Sequence, residues 1–129
     1  VSVSAGPEVL DASALLAWLQ GEPGMDEVTL EGAVVNSVNW SEVVQKAERN
    51  GVATAGIREE LEALGLDLRG FSLEEGQKAA ELYPLTRVHG LSLGDRACLA
   101  TAFTLSGTAI TAEQVWSQAE HGVPVRVIW

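Results

Sequence analysis

At 129 residues, with 47% hydrophobic and 20% charged side chains, the chain is long enough to bury a real core and too apolar to be disordered. Its 18 acids against 8 bases give a formal charge of −10, which excludes gripping nucleic acid through a broad basic face. No apolar run approaches the ~20 residues of a membrane span, and a lone cysteine, Cys98, excludes an internal disulfide.

The first residues, Val1 to Gly6, lack the basic head and apolar centre of a signal peptide, so a cytoplasmic protein is expected. The pattern reads as one domain over residues 1–129. Val9-Leu10-Asp11 is an apolar strand stopping on a carboxylate, and Ala12 to Leu19 carries Leu15, Leu16 and Leu19 at helical spacing. Gly21-Glu22-Pro23-Gly24 breaks that helix. Met25 to Gly32 reads as a short acidic helix, and Ala33 to Val38 as a second strand rich in β-branched residues. Asn39 then opens a helix to about Arg49, stopped by Asn50-Gly51.

A further helix is predicted over Thr54 to Leu64, then an alternating edge strand over Leu66 to Phe71. Ser72-x-x-Glu75 is a capping box for a helix to about Tyr83, where Pro84 ends or bends it. Ser92 to Ser106 is apolar nearly all round and predicts a buried helix closed by Gly107. Thr108 to Thr111 is a strand, Glu113 to His121 a short helix, and Val123 to Ile128 the last strand. Strands alternating with helices imply an α/β fold of right-handed βαβ units around a mainly parallel sheet.

Four acids stand where such a sheet does its chemistry. Asp11 follows the first strand, Glu42 and Asp95 lie in first turns of helices, and Glu113 follows Thr108 to Thr111. Ligands bind outside the carboxyl ends of parallel strands, so acids from distant segments can converge on one rim. Converged carboxylates stay ionised around cations, and oxygen-only ligands suit Mg²⁺ or Mn²⁺. Such a metal site can activate water and stabilise charge on a phosphodiester. Each acid also has a plain role. Asp11 is a good helix N-cap, and Asn39-x-x-Glu42 and Ser92-x-x-Asp95 resemble capping boxes.

Three stretches carry a family resemblance: Val9-Leu10-Asp11-Ala12-Ser13-Ala14-Leu15-Leu16, Asn36-Ser37-Val38-Asn39-Trp40-Ser41-Glu42-Val43 and Gly90-Leu91-Ser92-Leu93-Gly94-Asp95-Arg96-Ala97-Cys98-Leu99-Ala100. In this order they closely resemble PIN-domain proteins, and among those the VapC-like toxins of bacterial toxin–antitoxin pairs. The resemblance implies a PIN-like fold, three layers around a five-stranded sheet in the order 3-2-1-4-5. It implies a Mg²⁺- or Mn²⁺-dependent endoribonuclease whose metal is held by Asp11, Glu42 and Asp95. It also implies a homodimer and a cognate antitoxin that inhibits the RNA-cleaving site, for instance by placing an arginine among the acids. DNA would be met only indirectly, through the antitoxin.

The fourth metal position departs from the family, which has aspartate where Thr111-Ala112-Glu113 has glutamate. The extra methylene keeps the charge but moves the carboxylate outward by about one carbon–carbon bond, and Mg²⁺ is exacting in its geometry. Glu113 holds metal directly, holds it through water, or leaves a second metal weakly bound; the residues leave these open. Ser13 and Thr111 match small polar positions beside the acids, and Arg96 offers either a phosphate contact or a surface ion pair.

The remaining chemistry-bearing residues predict structure. His89 and His121 lack metal-ligand spacing and suit surface or loop roles, and Cys98 suits the core. Trp18, Trp40 and Trp116 suit core or interface packing. Gly90-x-x-x-Gly94 lacks the lysine of a phosphate loop. A different class of function stays in view: a catalytically weak or inactive PIN-like protein acting through its antitoxin and operator complex. A receiver-like signalling domain would need a late lysine, and the only lysines are Lys46 and Lys78.

Overall fold

A computed structural model of the chain describes residues 6–129. Five strands form one all-parallel sheet: β1 (Glu8–Leu10), β2 (Val34–Asn36), β3 (Asp67–Arg69), β4 (Thr108–Thr111) and β5 (Val125–Val127). Their order is β3-β2-β1-β4-β5. Six helices connect and cover them: α1 (Ala12–Gln20), α2 (Ser37–Arg49), α3 (Ile57–Ala63), α4 (Leu73–Glu81), α5 (Tyr83–Thr86) and α6 (Leu93–Thr104). No helix among the described residues is long and apolar enough to cross a membrane.

The three layers follow from the two-residue period of a strand. Val9, Val34 and Ala109 face one way and join Leu82, Cys98, Leu99, Ala102 and Trp116 in one core. Their neighbours Leu10, Val35 and Ile110 face the other way and join Leu15, Leu16, Val43, Ala47 and Leu61. Every strand of the central three is therefore apolar on both faces, as a covered parallel sheet demands. Burial on this scale contributes about 25 cal/mol per Å² of apolar surface removed from water.

The register sets the functional rim. Leu10 pairs with Ile110 and Val9 with Val34, so Asp11 comes level with Thr111 on one side and Asn36 on the other. The chain leaves β1 toward β2, and β4 returns on the opposite flank of β1. That makes the β1–β4 crevice the topological switch point of the sheet.

Several predicted elements are redrawn. Met25 to Gly32 is not a helix: a single 3₁₀ turn covers Met25–Glu27, the chain leaves it extended at Val28, and Val28 and Leu30 are buried on either side of exposed Thr29. The second strand is shorter and its helix starts earlier, at Ser37. Asn36 caps that helix, its Oδ1 accepting from the Asn39 amide at 2.8 Å, so Asn39 lies inside α2 and is no cap. The next helix waits until Ile57, because Gly56 turns the chain at φ 77° just before it. Residues 114–118 form a 3₁₀ turn instead of an α-helix. In α6, Leu93 and Phe103 are exposed, and the Lys78 ammonium sits 3.8 Å over the Phe103 ring. His121 takes the loop role of its two readings and is buried there: Nδ1 accepts from Val123 N–H, so Nε2 donates to the Trp116 carbonyl at 2.9 Å.

Candidate functional site

Asp11 sits at the floor of the β1–β4 crevice, 3% exposed. It is the N-cap of α1, with Oδ1 accepting from Ala14 N–H at 2.8 Å. The Ser13 hydroxyl donates to the same carboxylate at 2.7 Å, and the Thr111 hydroxyl donates to Oδ2 at 2.7 Å. Both hydroxyls are themselves oriented from behind. Ala112 N–H donates to Ser13 Oγ at 2.9 Å, and Glu113 N–H donates to Thr111 Oγ1 at 3.0 Å. Each hydroxyl has one proton, and both protons go to Asp11. Capping and site-building thus use different lone pairs of one carboxylate.

Burial pushes the Asp11 carboxyl up to about 7, and the charge of Glu113 pushes the same way. The hydrogen bonds from Ser13, Ala14 and Thr111 pull it down without offsetting the burial. A carboxylate so well supplied with donors, yet still reluctant to ionise, is one that a nearby cation would stabilise strongly.

Glu42 reaches the rim from α2. Asn39, one turn earlier and 1% exposed, donates from Nδ2 to Glu42 Oε1 at 2.9 Å and to the Gly94 carbonyl at 2.9 Å. The Glu42 carboxylate lies against the start of α6, where a side chain at residue 94 would collide with it. Asn39 is anchored in turn by Asn36, whose Nδ2 donates to Thr101 Oγ1 at 2.9 Å and to the Ala97 carbonyl. The Thr101 hydroxyl donates to buried Glu75, which also closes the α4 capping box. A continuous polar line therefore runs from α4 through α6 and β2 to Glu42.

Asp95 is the N3 acid of α6, and its Oδ2 accepts from Ser92 N–H at 2.8 Å. Its capping box is real, as predicted. Glu113 is exposed at the end of β4, with Oε2 accepting from the indole of fully buried Trp116 at 3.1 Å. Partial desolvation raises the Glu113 carboxyl, the charges of Asp95 and Glu42 raise it further, and the Trp116 bond and Lys46 oppose them. Burial raises the Cys98 thiol, which lies one turn inward from Asp95, and Asp11, Asp95 and Glu42 add to that. The four predicted acids thus share one electrostatic neighbourhood.

They do not form a closed cage. Among the described residues, no three His, Cys, Asp or Glu side chains stand together in a ready-made metal cluster. Mg²⁺ seldom requires one, because it keeps several waters and takes one or two carboxylates directly. The donor set, carboxylates and hydroxyls without nitrogen or sulfur, fits a hard cation.

Ser13 and Thr111 lie against the Asp11 carboxylate, and Arg96 points elsewhere. Its guanidinium turns back to the Ala79 carbonyl at 2.9 Å and lies 5.1 Å from the Tyr83 ring. Sequence reasoning missed Asn39 and Gly94. The readable signal was Asn39 three residues before Glu42, which puts both on one helix face.

The PIN domain family model matches residues 9–122. A search of curated protein sequences gives no significant match. Among solved structures, a chain of a toxin–antitoxin complex from Klebsiella pneumoniae superposes with a TM-score of 0.71 at 18% identity, over 95% of this chain and 98% of that one. FitAcB from Neisseria gonorrhoeae gives 0.71 at 17% identity over 95% and 98%. DNA-bound VapBC from Salmonella typhimurium gives 0.70 at 12% identity over the same shares.

Proposed function

This chain belongs to the PIN domain family, and from that premise we propose that it is a metal-dependent endoribonuclease toxin, held in check by a cognate antitoxin. The observation that carries the reading is Asp11: a buried carboxylate at the β1–β4 switch point, held by two hydroxyls and a helix N-terminus in the field of a second acid. The toxin–antitoxin complexes among its structural neighbours support the antitoxin partner, and those bound to DNA support operator contact through that partner. Residues 1–129 act as one domain, working in the cytoplasm as a homodimer.

Asp11, Glu42 and Asp95, helped by Glu113, would hold Mg²⁺ or Mn²⁺. When bound, such a cation supplies charge neutralisation and electrophilic activation at a phosphodiester. The chain's own residues do the positioning. Ser13 and Thr111 give their protons to Asp11, fixing its carboxylate plane, so that with Ala14 N–H on Oδ1 about one lone pair, on Oδ2, would be left for a cation. Asn39 occupies one oxygen of Glu42 and leaves the other for the site. Asp95 uses one oxygen on its capping box, so only its second is available. The carboxylates themselves are the proton acceptors at hand, and Lys46, whose charge reaches Glu113, stands in the adjoining cleft.

Metal-dependent cleavage of RNA by the purified chain tests this, with cleavage lost in Asp11→Asn and Asp95→Asn. Cleavage that persists in both variants refutes the site. A second reading is favoured by Glu113, whose Oε2 is engaged by Trp116: a catalytically weak binding protein that acts through its antitoxin and operator complex. It predicts tight antitoxin binding with no metal-dependent cleavage.

A further inference from the structure

A cleft of about 430 Å³ opens beside the acids; among its lining residues are Ser13 and Ala112, Lys46 and Arg49 of α2, Trp129, and a single acid, Glu22. Ser13 and Ala112 belong to the Asp11 network, so the cleft is continuous with the acid site. Its cations are unusual for this chain. Of the 8 Lys and Arg residues, five are committed. Arg58 pairs with Glu62, Arg69 with Asp67 and Arg126 with Glu8. Arg96 donates to Ala79, and Lys78 covers Phe103. Among the described residues, the side chains of Lys46, Arg49 and Arg87 form no ion pair or hydrogen bond, and two of these three line the cleft.

Lys46 and Arg49 are three residues apart on a helix and therefore share a face. Lys46 also feels Glu113, which places the positive wall against the acid site. Trp129 is 64% exposed at the same cleft. Paired cations with an exposed aromatic make the combination that tracks a single strand, with phosphates on the cations and a base on the indole. A chain with a charge of −10 needs such a local reversal of field to admit a polyanion.

We propose that this cleft is the track for the single-stranded RNA flanking the cleaved bond, with Lys46 and Arg49 meeting neighbouring phosphates and Trp129 stacking a base. The assignment rests on the nuclease reading above. It is tested by fluorescence anisotropy of an end-labelled RNA single strand, with every variant in an Asp11→Asn background that leaves the strand intact. Removing both cations (Lys46→Ala with Arg49→Ala) is expected to weaken binding at least roughly tenfold. It should also flatten the slope of log K against log salt by about 1.4, two phosphate contacts at ~0.7 each. Trp129→Ala should weaken binding roughly tenfold and leave the slope alone. Arg87→Ala, which removes the uncommitted cation outside the cleft, should change neither.

Unchanged affinity and slope in the double variant, or an equal loss in Arg87→Ala, overturns the cleft assignment even where the wild-type chain cleaves RNA. A wild-type chain that neither cleaves nor binds RNA overturns the nuclease reading and the cleft together. Binding of polyglutamate through Lys46 and Arg49, with RNA binding indifferent to them, overturns it in favour of an acidic polypeptide.

Discussion

The carboxylate of Glu42 lies across Gly94, so close that a Cβ at residue 94 would stand 2.5 Å from both of its oxygens. Gly94 is the second residue of α6, immediately before Asp95. The missing side chain is what lets an acid from α2 and an acid from α6 share one edge of the site. Asn39 closes the arrangement by bonding Glu42 and the Gly94 carbonyl together.

Gly94→Ala separates stability from function. In a helix this change is normally favourable by roughly 0.5–1 kcal/mol, and the clash falls on the far end of a flexible side chain. The variant is expected to fold with a melting temperature equal to or above wild type. Glu42 must swing away, so Mn²⁺ affinity by calorimetry and RNA cleavage should each fall at least roughly tenfold. A variant with undiminished metal affinity would show that Glu42 is no ligand.

Asp11 predicts how stability varies with pH. Its carboxyl is raised from 3.8 to about 7 by burial, so the folded chain keeps a proton that the unfolded chain has released between those values. The folded state therefore binds more protons in that window, and stability falls as pH rises from about 4 to 7. The loss is on the order of a few kcal/mol. Asp11→Asn keeps the cap on Ala14 and has no charge to bury, so it should be the more stable protein at pH 8 and differ little at pH 4. Mg²⁺ at 100 times its dissociation constant should restore about 2.7 kcal/mol to wild type at pH 8, and nothing to the variant. Urea denaturation at both pH values, with and without Mg²⁺, measures all three; parallel pH profiles in the two proteins would refute the assignment.

What the sequence made legible was what depends on local pattern. Val9-Leu10-Asp11 reads directly because an apolar run ending on a cap is both a strand end and a helix start. The alternation of strands and helices leads to a parallel sheet, and the three family-like stretches lead to its order. Asn39 was misread as a cap because Val38 favours a strand, while Asn36, one turn earlier, does the capping. Nothing local says that the Arg96 guanidinium meets a carbonyl 17 residues back. The Gly94–Glu42 contact joins residues on different helices and leaves no periodic trace. Lys46 and Arg49 gain meaning only once the other cations are seen to be engaged.

Asn39 holds its place by donating twice, and its amide orientation is forced because both partners are acceptors. Asn39→Asp puts lone pairs against the Glu42 carboxylate and the Gly94 carbonyl. The cost is expected to be about 3 kcal/mol at pH 8, from unmade bonds in a buried site and a new like charge. Near pH 4 the penalty should shrink, because the introduced acid, once protonated, can donate. Asn39→Asp that denatures like wild type at pH 8 would mean the line from Asn36 to Glu42 carries no strain-free requirement for an amide.

Glu113 joins the rim to Trp116, and two conservative changes take its roles apart. Glu113→Gln keeps a carbonyl oxygen for the Trp116 indole at the same reach and removes only the charge. Its stability should match wild type, and a role for Glu113 in metal binding should appear as weaker Mn²⁺ affinity with unaltered tryptophan emission. Glu113→Asp keeps the charge but withdraws it by one carbon, so the indole of a fully buried residue loses its acceptor. That should cost about 1 kcal/mol and shift the emission of Trp116. The same shortening restores the aspartate that the family resemblance implies at this position, so Mn²⁺ should bind Glu113→Asp at least as tightly as wild type. Should both variants bind Mn²⁺ like wild type, Glu113 is a strut for Trp116, and Asp11, Glu42 and Asp95 hold the cation without it.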